Sequence, residues 1–207
     1  MKIGIDIDGV IIDFERTMHT YAELYDLLIL KKNGALNNDF NYLNKYNWTK
    51  EEKNKFIDDY LVYATNYKTP FIPLSKEMLE IFKLENYEYV FITARGSLKK
   101  ETKDAIISLF KTNNIDINNI YWQVNDKADL CKKLSIDLMI DDNPNICKQL
   151  QKNKIKTLYF RDKNSEKIME DKYLTEVSNI GEICRYLINI TGYKNKISEY
   201  KKILKNH

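Results

Sequence analysis

The chain has 207 residues, of which 43% are hydrophobic and 30% charged, and its formal net charge is +3. That length suits one domain, or one domain with a sizeable insertion, and it can bury roughly 70% of its unfolded surface without disulfide or metal staples. The composition excludes a disordered or fibrous chain, and so small a basic excess excludes the field of a dedicated nucleic-acid binder.

The first predicted element is a strand over Ile3–Asp8, apolar except where it ends in Asp6-Ile7-Asp8-Gly9-Val10. Residues 15–72 then read as a mostly helical insertion. Met18, Tyr21, Ala22, Tyr25, Leu28 and Ile29 form a helical stripe, and Asn33-Gly34 stops it. Leu36–Trp48 has no clear period. Thr49-Lys50-Glu51-Glu52 is a capping box opening a helix to about Ala64, and Pro70 and Pro73 bracket the return.

From there strands and helices alternate. Ser75–Leu84 is a helix with Met78, Leu79 and Phe82 on one face, followed by a strand over Tyr87–Ile92. Ser97 is placed to cap Leu98–Lys111, whose Ala105, Ile106, Leu109 and Phe110 share a face. A strand over Ile120–Val124, a helix over Lys127–Leu134 and a strand over Asp137–Ile140 come next. Asn143-Pro144 opens a helix over Asn145–Gln151. Strands over Lys156–Phe160 and, more weakly, Tyr173–Val177 precede a helix over Ile180–Ile190 behind Asn179. The basic tail Gly192–His207 has Tyr193, Ile197, Tyr200 and Leu204 on one side, the pattern of a terminal helix packed on the core. This order predicts an α/β fold, a doubly wound parallel sheet with right-handed crossovers. Its core spans residues 1–14 and 73–191, its helical cap 15–72, and its terminal helix 192–207.

Cys131, Cys147 and Cys184 lack CxxC spacing and read as free thiols of a reducing compartment. The histidines are His19 and the final residue, His207, so a His-based zinc site or triad is not expected. The apolar start is broken by Asp6 and Asp8 and is no signal segment, and no run reaches the ~20 residues of a membrane span. The expectation is a cytoplasmic protein with no membrane partner.

In a parallel sheet, ligands sit beyond the carboxyl ends of the strands. Strand alternation points Asp6 and Asp8 to the same side. If strands one and four are neighbours, Asp141 and Asp142 join them. Such a cluster calls for a cation, and oxygen donors alone favour Mg²⁺. Thr93-Ala94-Arg95-Gly96-Ser97, at the end of strand two and the start of a helix, offers a hydroxyl and backbone amides to an anion. Lys127, at the start of the helix before strand four, can reach the same point, although Lys132 and Lys133 are rivals closer to Asp141. Together these are the parts of a phosphoryl-transfer site.

Asp6-Ile7-Asp8-Gly9-Val10, Thr93, Lys127 and Asp141-Asp142 resemble, in order, the four motifs of the haloacid dehalogenase (HAD) superfamily. The insertion after strand one resembles that superfamily's C1 cap. The longer run Asp6–Phe14, with Ile140-Asp141-Asp142, resembles the 5′(3′)-deoxyribonucleotidase branch and its bacterial relatives. The resemblance implies that Asp6 is a nucleophile and Asp8 a general acid and base. It implies Mg²⁺ on the Asp6 carboxylate, the Asp8 carbonyl and the acidic pair, with Asp142 a direct ligand and Asp141 acting through water. It implies that Thr93, the Ala94 amide and Lys127 hold the phosphoryl group. Phe14 matches an aromatic position that contacts the base in the nucleotidase pattern, or is a core residue at the hinge. Arg16 is a candidate for a substrate phosphate, or a surface residue. Trp48 and Tyr42, Tyr46, Tyr60 and Tyr63 either stack a base or form the cap's own core.

The expected substrate is a small phosphorylated metabolite, first a nucleoside 5′-monophosphate and second a sugar phosphate. A response-regulator receiver places its acidic pair after strand one and its phosphoacceptor after strand three, which this order contradicts. A calcium loop fails because Ile11 and Ile12 stand where oxygen ligands are needed. A non-catalytic phosphate binder is expected to lack Asp6 or Asp8, and both are present.

Overall fold

The structure, a computed structural model, describes residues 1–96, 99–162, 165–192 and 195–205. Its strands are β1 (Lys2–Ile5), β2 (Glu88–Ile92), β3 (Ile120–Tyr121), β4 (Leu138–Asp141), β5 (Thr157–Phe160) and β6 (Leu174–Val177). They form one all-parallel sheet in the order β3-β2-β1-β4-β5-β6. All six predicted strands are present. β1 is shorter than predicted because the chain turns at once after Asp6: Ile11 and Ile12 donate back to the Ile7 carbonyl, and Gly9 donates to Ile12.

The helices are α1 (Phe14–Leu24), α2 (Lys50–Phe56), α3 (Val62–Tyr67), α4 (Ser75–Leu84), α5 (Glu101–Thr112), α6 (Lys127–Lys133), α7 (Pro144–Lys152), α8 (Ile180–Thr191) and α9 (Ile197–Ile203). Strand alternation decides which of them share a face. Ile3, Ile5, Tyr89, Phe91, Leu138 and Ile140 pack with Met78 and Phe82 of α4, Ile106 and Phe110 of α5, and Ile183 and Leu187 of α8. Val90, Ile92 and Met139 point the other way and pack with Ala128 and Cys131 of α6 and Leu150 of α7. Fully buried side chains such as Phe82 on the first face and Leu150 on the second contribute roughly 1.5–3 kcal/mol each, so both faces are firmly covered. No helix among the described residues is long and apolar enough to cross a membrane.

Asn143 caps α7 with Pro144 behind it, Asn179 caps α8, and the Thr49–Glu52 capping box opens α2, as their residue types predict. The predicted cap Ser97 and its neighbour Leu98 lie outside the described residues. α5 begins only at Glu101, so residues 93–96 are a loop and not the first turn of a helix. Gly96, at φ +91°, turns the chain there, a conformation that side-chain-bearing residues rarely adopt.

The segment predicted as a cap leaves and rejoins the sheet through paired segments. Asp13 donates to Pro70, Ile72 donates to Ile11, and Ile12 bridges Phe71. Inside the cap, α1 runs on through a π turn over Tyr25–Ile29, and a second π turn over Ile57–Leu61 joins α2 to α3. A π turn takes an extra residue, so the face presented after it rotates by about 100°. Leu28 and Ile29, predicted in the buried stripe, are therefore exposed at 66% and 57%. Asp26 turns inward instead and accepts hydrogen bonds from Trp48 Nε1 at 2.6 Å and Gly34 N at 2.7 Å.

The terminal helix α9 docks on α4 through polar groups. Lys196 donates to the Leu84 carbonyl and Tyr200 to Glu85, while Ile197 and Leu204, expected to face the core, are mostly exposed. Tyr193 and His207 of the predicted tail helix lie outside the described residues.

Candidate functional site

The strand order reverses between β1 and β4, which run parallel, and the carboxyl ends of these neighbours make the crevice in which such sheets bind ligands. Ile5 pairs with Ile140, and the Asp6 amide donates to the Ile140 carbonyl at 2.9 Å, which brings the two acidic ends side by side. Asp6, Asp141 and Asp142 each present a ligand oxygen, all within 4.8 Å of one another, and all three residues are buried.

Lys127 is the cation at this cluster. Its Nζ lies 3.0 Å from Asp6 Oδ1 and 2.7 Å from Asp141 Oδ2. The Asp126 carboxylate caps α6 by accepting from Asp129 N, which aims the first turn at the strand ends. Lys132 bonds Asn153 and Lys133 bonds Asp129, both on the outside of the helix. The two members of the acidic pair differ. Both oxygens of Asp141 are engaged, Oδ2 by Lys127 and Oδ1 by the Asn143 amide at 2.9 Å. Asp142 has no hydrogen bond or ion pair with a described residue. Gly9 makes room for it: a Cβ there would stand 1.8 Å from Asp142 Oδ2, and φ is already +72°.

One ammonium does not balance three buried carboxylates. Burial pushes the Asp6 carboxyl up to about 7; Lys127 opposes the rise, and Asp141 and Asp8 add to it. Asp142 is raised well above the usual carboxylate range, again by burial first and then by Asp6. Burial works against the charged form of Lys127, but Asp141 and Asp6 outweigh it and raise that group. A divalent cation would supply the missing charge. Hard oxygen donors with no sulfur or imidazole, one carboxylate unpartnered, and a glycine cradle beside it fit Mg²⁺.

Thr93, almost fully buried, directly follows β2, with its Oγ1 accepting from Arg95 N at 3.0 Å. Ala94 is exposed at the loop between them. Arg95 is the functional candidate the sequence reading passed over. Its Nε donates to Asp8 Oδ2 at 3.1 Å, its Nη2 donates to Asp8 Oδ1, and its Nη1 donates to Thr65 Oγ1 on α3 at 3.0 Å. A weak signal existed, since only four of the 33 basic residues are arginine and one directly follows Thr93-Ala94.

Two cavities open beside the acidic cluster. The larger, about 580 Å³, is lined by Gly9, Arg16, His19, Lys45, Asp142 and Arg161 among others. The smaller, about 300 Å³, runs from Asp8, Ala94 and Arg95 to Phe14, Phe40, Asn41, Tyr42 and Leu61 of the cap side. Glu15 lines both, and burial with the charges of Asp8 and Asp6 pushes its carboxyl up to about 8.

The predicted substrate contacts divide accordingly. Phe14 lines the smaller cavity with the Arg95 guanidinium 4.2 Å above its ring. Arg16 lines the larger one, its side chain mostly exposed and paired with Asp13 and Asp162. Trp48 reaches neither. It is hydrogen bonded to Asp26, stacks on Tyr46 at 4.7 Å, and so belongs to the cap's own core. Tyr60 packs into that aromatic cluster, Tyr63 pairs with Tyr67 near the surface, and of the four tyrosines Tyr42 lines a cavity.

His19 offers a test of how closed this region is. Burial pushes its imidazole down to about 4, so the folded protein keeps it neutral where the unfolded chain, near 6.5, is already charged. The unfolded state then binds the extra proton, and stability is lost as pH falls from 6.5 towards 4. His19→Gln is expected to flatten that part of the melting-temperature profile. Parallel profiles for the two proteins between pH 7 and 4.5 would contradict the buried, neutral imidazole.

No family model matches the sequence, and no curated protein matches it. Solved structures do share its shape. A haloacid dehalogenase-like protein of unknown function from Agrobacterium tumefaciens superposes with a TM-score of 0.67 at 11% identity, covering 91% of this chain and 98% of that one. A HAD family hydrolase from Deinococcus radiodurans, with bound phosphate and sodium, gives 0.66 at 8% identity over 91% and 95%. A predicted phosphoglycolate phosphatase from Haemophilus somnus gives 0.61 at 13% identity over 89% and 96%. At these identities the likeness speaks for the fold, and the fold is haloacid dehalogenase-like.

Proposed function

We propose that the chain is a Mg²⁺-dependent phosphomonoester hydrolase that works through an aspartyl-phosphate on Asp6. The observation that carries this reading is the joint placement of Asp6, Lys127, Asp141 and Asp142 at the switch point, with Asp8 beside them at the mouth of a cavity. Bound by Asp6, the Asp8 carbonyl, Asp142 directly and Asp141 through water, Mg²⁺ would neutralise charge on the carboxylates and the transferring phosphoryl group.

This chain's residues supply the remainder. Asp6 Oδ1 is tied to Lys127 and to the Ile7 amide, which leaves Oδ2 without a described partner and free to attack phosphorus. Thr93, the Ala94 amide and Lys127 hold the phosphoryl oxygens. As the bond to the leaving oxygen breaks, Asp8 gives that oxygen a proton. Asp8 then takes a proton from water, which attacks the acyl-phosphate and releases inorganic phosphate and free Asp6. Carbon–halogen cleavage needs no such acid, and so Asp8 favours phosphate esters.

For the leaving group we favour a nucleoside, from a 5′-monophosphate, in a cytoplasmic enzyme. Phe14, Phe40 and Tyr42 offer rings, and Asn41 an amide, in the cavity that begins at Asp8. A sugar phosphate or another small metabolite phosphate is the second reading, favoured by the phosphoglycolate phosphatase among the similar structures. A panel of nucleoside monophosphates, sugar phosphates and phosphoglycolate, assayed with Mg²⁺ and with a chelator, tests both. Nucleotides are expected to give the highest kcat/KM, with turnover lost on chelation. Turnover of sugar phosphates alone selects the second reading, and hydrolysis of no monoester defeats both.

A further inference from the structure

The Arg95 side chain is only 4% exposed, yet it lines the smaller cavity and its partners come from three parts of the fold. Its fork grips both oxygens of Asp8, which belongs to the turn after β1. Its plane rests on Phe14, the first residue of α1, and its remaining nitrogen bonds Thr65 of α3. Thr65 in turn donates to the Leu61 carbonyl, so its hydroxyl is fixed as an acceptor for Arg95.

We propose that Arg95 is a positioning residue that holds the Asp8 carboxyl towards the leaving-group cavity and ties that orientation to the docked cap through Thr65. The inference rests on the reading of Asp8 as the acid that protonates the leaving oxygen. A carboxylate on a turn is free to rotate about two side-chain bonds, and a proton donor that rotates is in place only part of the time. A planar bidentate partner removes that freedom, and a lysine, being a point charge, does not. Each Asp8 oxygen keeps a lone pair outside the fork, and Asp8, Ala94 and Arg95 line the cavity together. Phe14 opens α1 where the chain enters the cap and Thr65 lies on α3 within it, so the fork is held in this orientation when α1 and α3 stand where they do here. Arg95 thereby couples cap closure to readiness of the acid.

Two esters separate this role from a purely structural one. p-Nitrophenyl phosphate leaves as a stable anion and needs little protonation, whereas β-glycerol phosphate leaves as an alkoxide and needs it fully. kcat/KM reports the steps through P–O cleavage, and the ratio between the two esters in one preparation does not depend on the fraction folded. Arg95→Met is expected to lower kcat/KM by about a hundredfold on β-glycerol phosphate, the scale of general-acid catalysis, and by only a few-fold on p-nitrophenyl phosphate. Arg95→Lys, which keeps the charge and loses the fork, is expected to show the same selective loss at smaller size. Thr65→Val should shift the ratio the same way by a few-fold. Equal losses on both esters, or a selective loss in Asp8→Asn that the Arg95 variants do not share, overturn the proposal. An unchanged ratio in Thr65→Val overturns the link to the cap. A nucleoside 5′-monophosphate, which also leaves as an alkoxide, serves in place of β-glycerol phosphate if it is the better substrate. If the unmodified protein hydrolyses neither these esters nor any monoester of the panel, the phosphatase reading itself fails.

Discussion

Replacing Asp6 with Asn is expected to remove phosphatase turnover, by on the order of 10⁴-fold or more, while the protein stays folded. The amide has the shape of the carboxyl it replaces. Its oxygen still accepts from the Ile7 amide and from Lys127, which now stand at 2.8 and 3.0 Å from Oδ1. It has no second anionic oxygen to bond phosphorus, so the covalent step is lost and the architecture is kept. Stability should follow a definite sign. Burial raises the folded Asp6 pKa from 3.8 to about 7, so the folded state holds a proton that the unfolded state has released. Stability therefore falls as pH rises through that window, and the metal-free variant, lacking the group, should lose that slope. At pH 8 it should melt at or above the temperature of the parent chain. Steady-state assays, acid-quench trapping of the acyl-phosphate and melting curves at pH 5 and 8 measure each part. An Asp6→Asn protein with full turnover would remove Asp6 from the role of nucleophile.

The parts of this site that were legible in sequence are those that strand rules govern. A parallel strand is apolar along its length, so the acidic ends Asp6-Ile7-Asp8 and Asp141-Asp142 stand out against Ile3–Ile5 and Leu138–Ile140. The switch-point rule then places Asp6 with Asp141 and Asp142, and the sheet order has β1 beside β4; Asp8, on the turn after β1, is not placed by strand alternation. Lys127 could be chosen over Lys132 and Lys133 because a helix's first turn faces the strand ends while its middle faces solvent. Arg95 followed no such rule. Its partners are 30 and 87 residues distant in sequence, and a loop residue carries no periodicity that would announce them.

The cap was harder to read for a different reason. Period counting assumes one helical pitch, and each π turn breaks it, so Leu28 and Ile29 came out on the wrong side and buried Asp26 was not foreseen. Trp48, left open between stacking a base and forming the cap's own core, could not be decided for the same reason. An indole in an unpatterned stretch has no visible partner until the π turn brings the Asp26 carboxylate to it.

The Lys127→Met variant should be the most destabilised of those considered, by about 3–5 kcal/mol near pH 8, a fall in melting temperature of about 6–20 °C. Lys127 is buried and is the one cation in salt-bridge contact with Asp6 and Asp141 among the described residues. Methionine has nearly the volume of the lysine it replaces, so the loss is expected to come from charge and not from a cavity. Two carboxylates are left in a dry crevice with a third, Asp142, beside them. The cost should depend on pH in a direction that a packing defect would not share. Asp6 already titrates near 7 with Lys127 present, and removing the ammonium pushes it higher, so below that range the orphaned carboxyls take up protons and cease to repel. The gap between parent and variant should therefore shrink at pH 5 and widen at pH 8. Adding Asp141→Asn to Lys127→Met should recover much of the loss at pH 8, because it deletes one of the two stranded charges; the single Asp141→Asn change should cost less than the lysine change does. Melting curves of the four proteins at both pH values form a closed cycle. A pH-independent loss, or a double variant no more stable than Lys127→Met, would mean that the ion pairs do not hold the end of β4 against β1, and that the hydrogen bond from Asp6 N to the Ile140 carbonyl and the packing beneath it do so unaided.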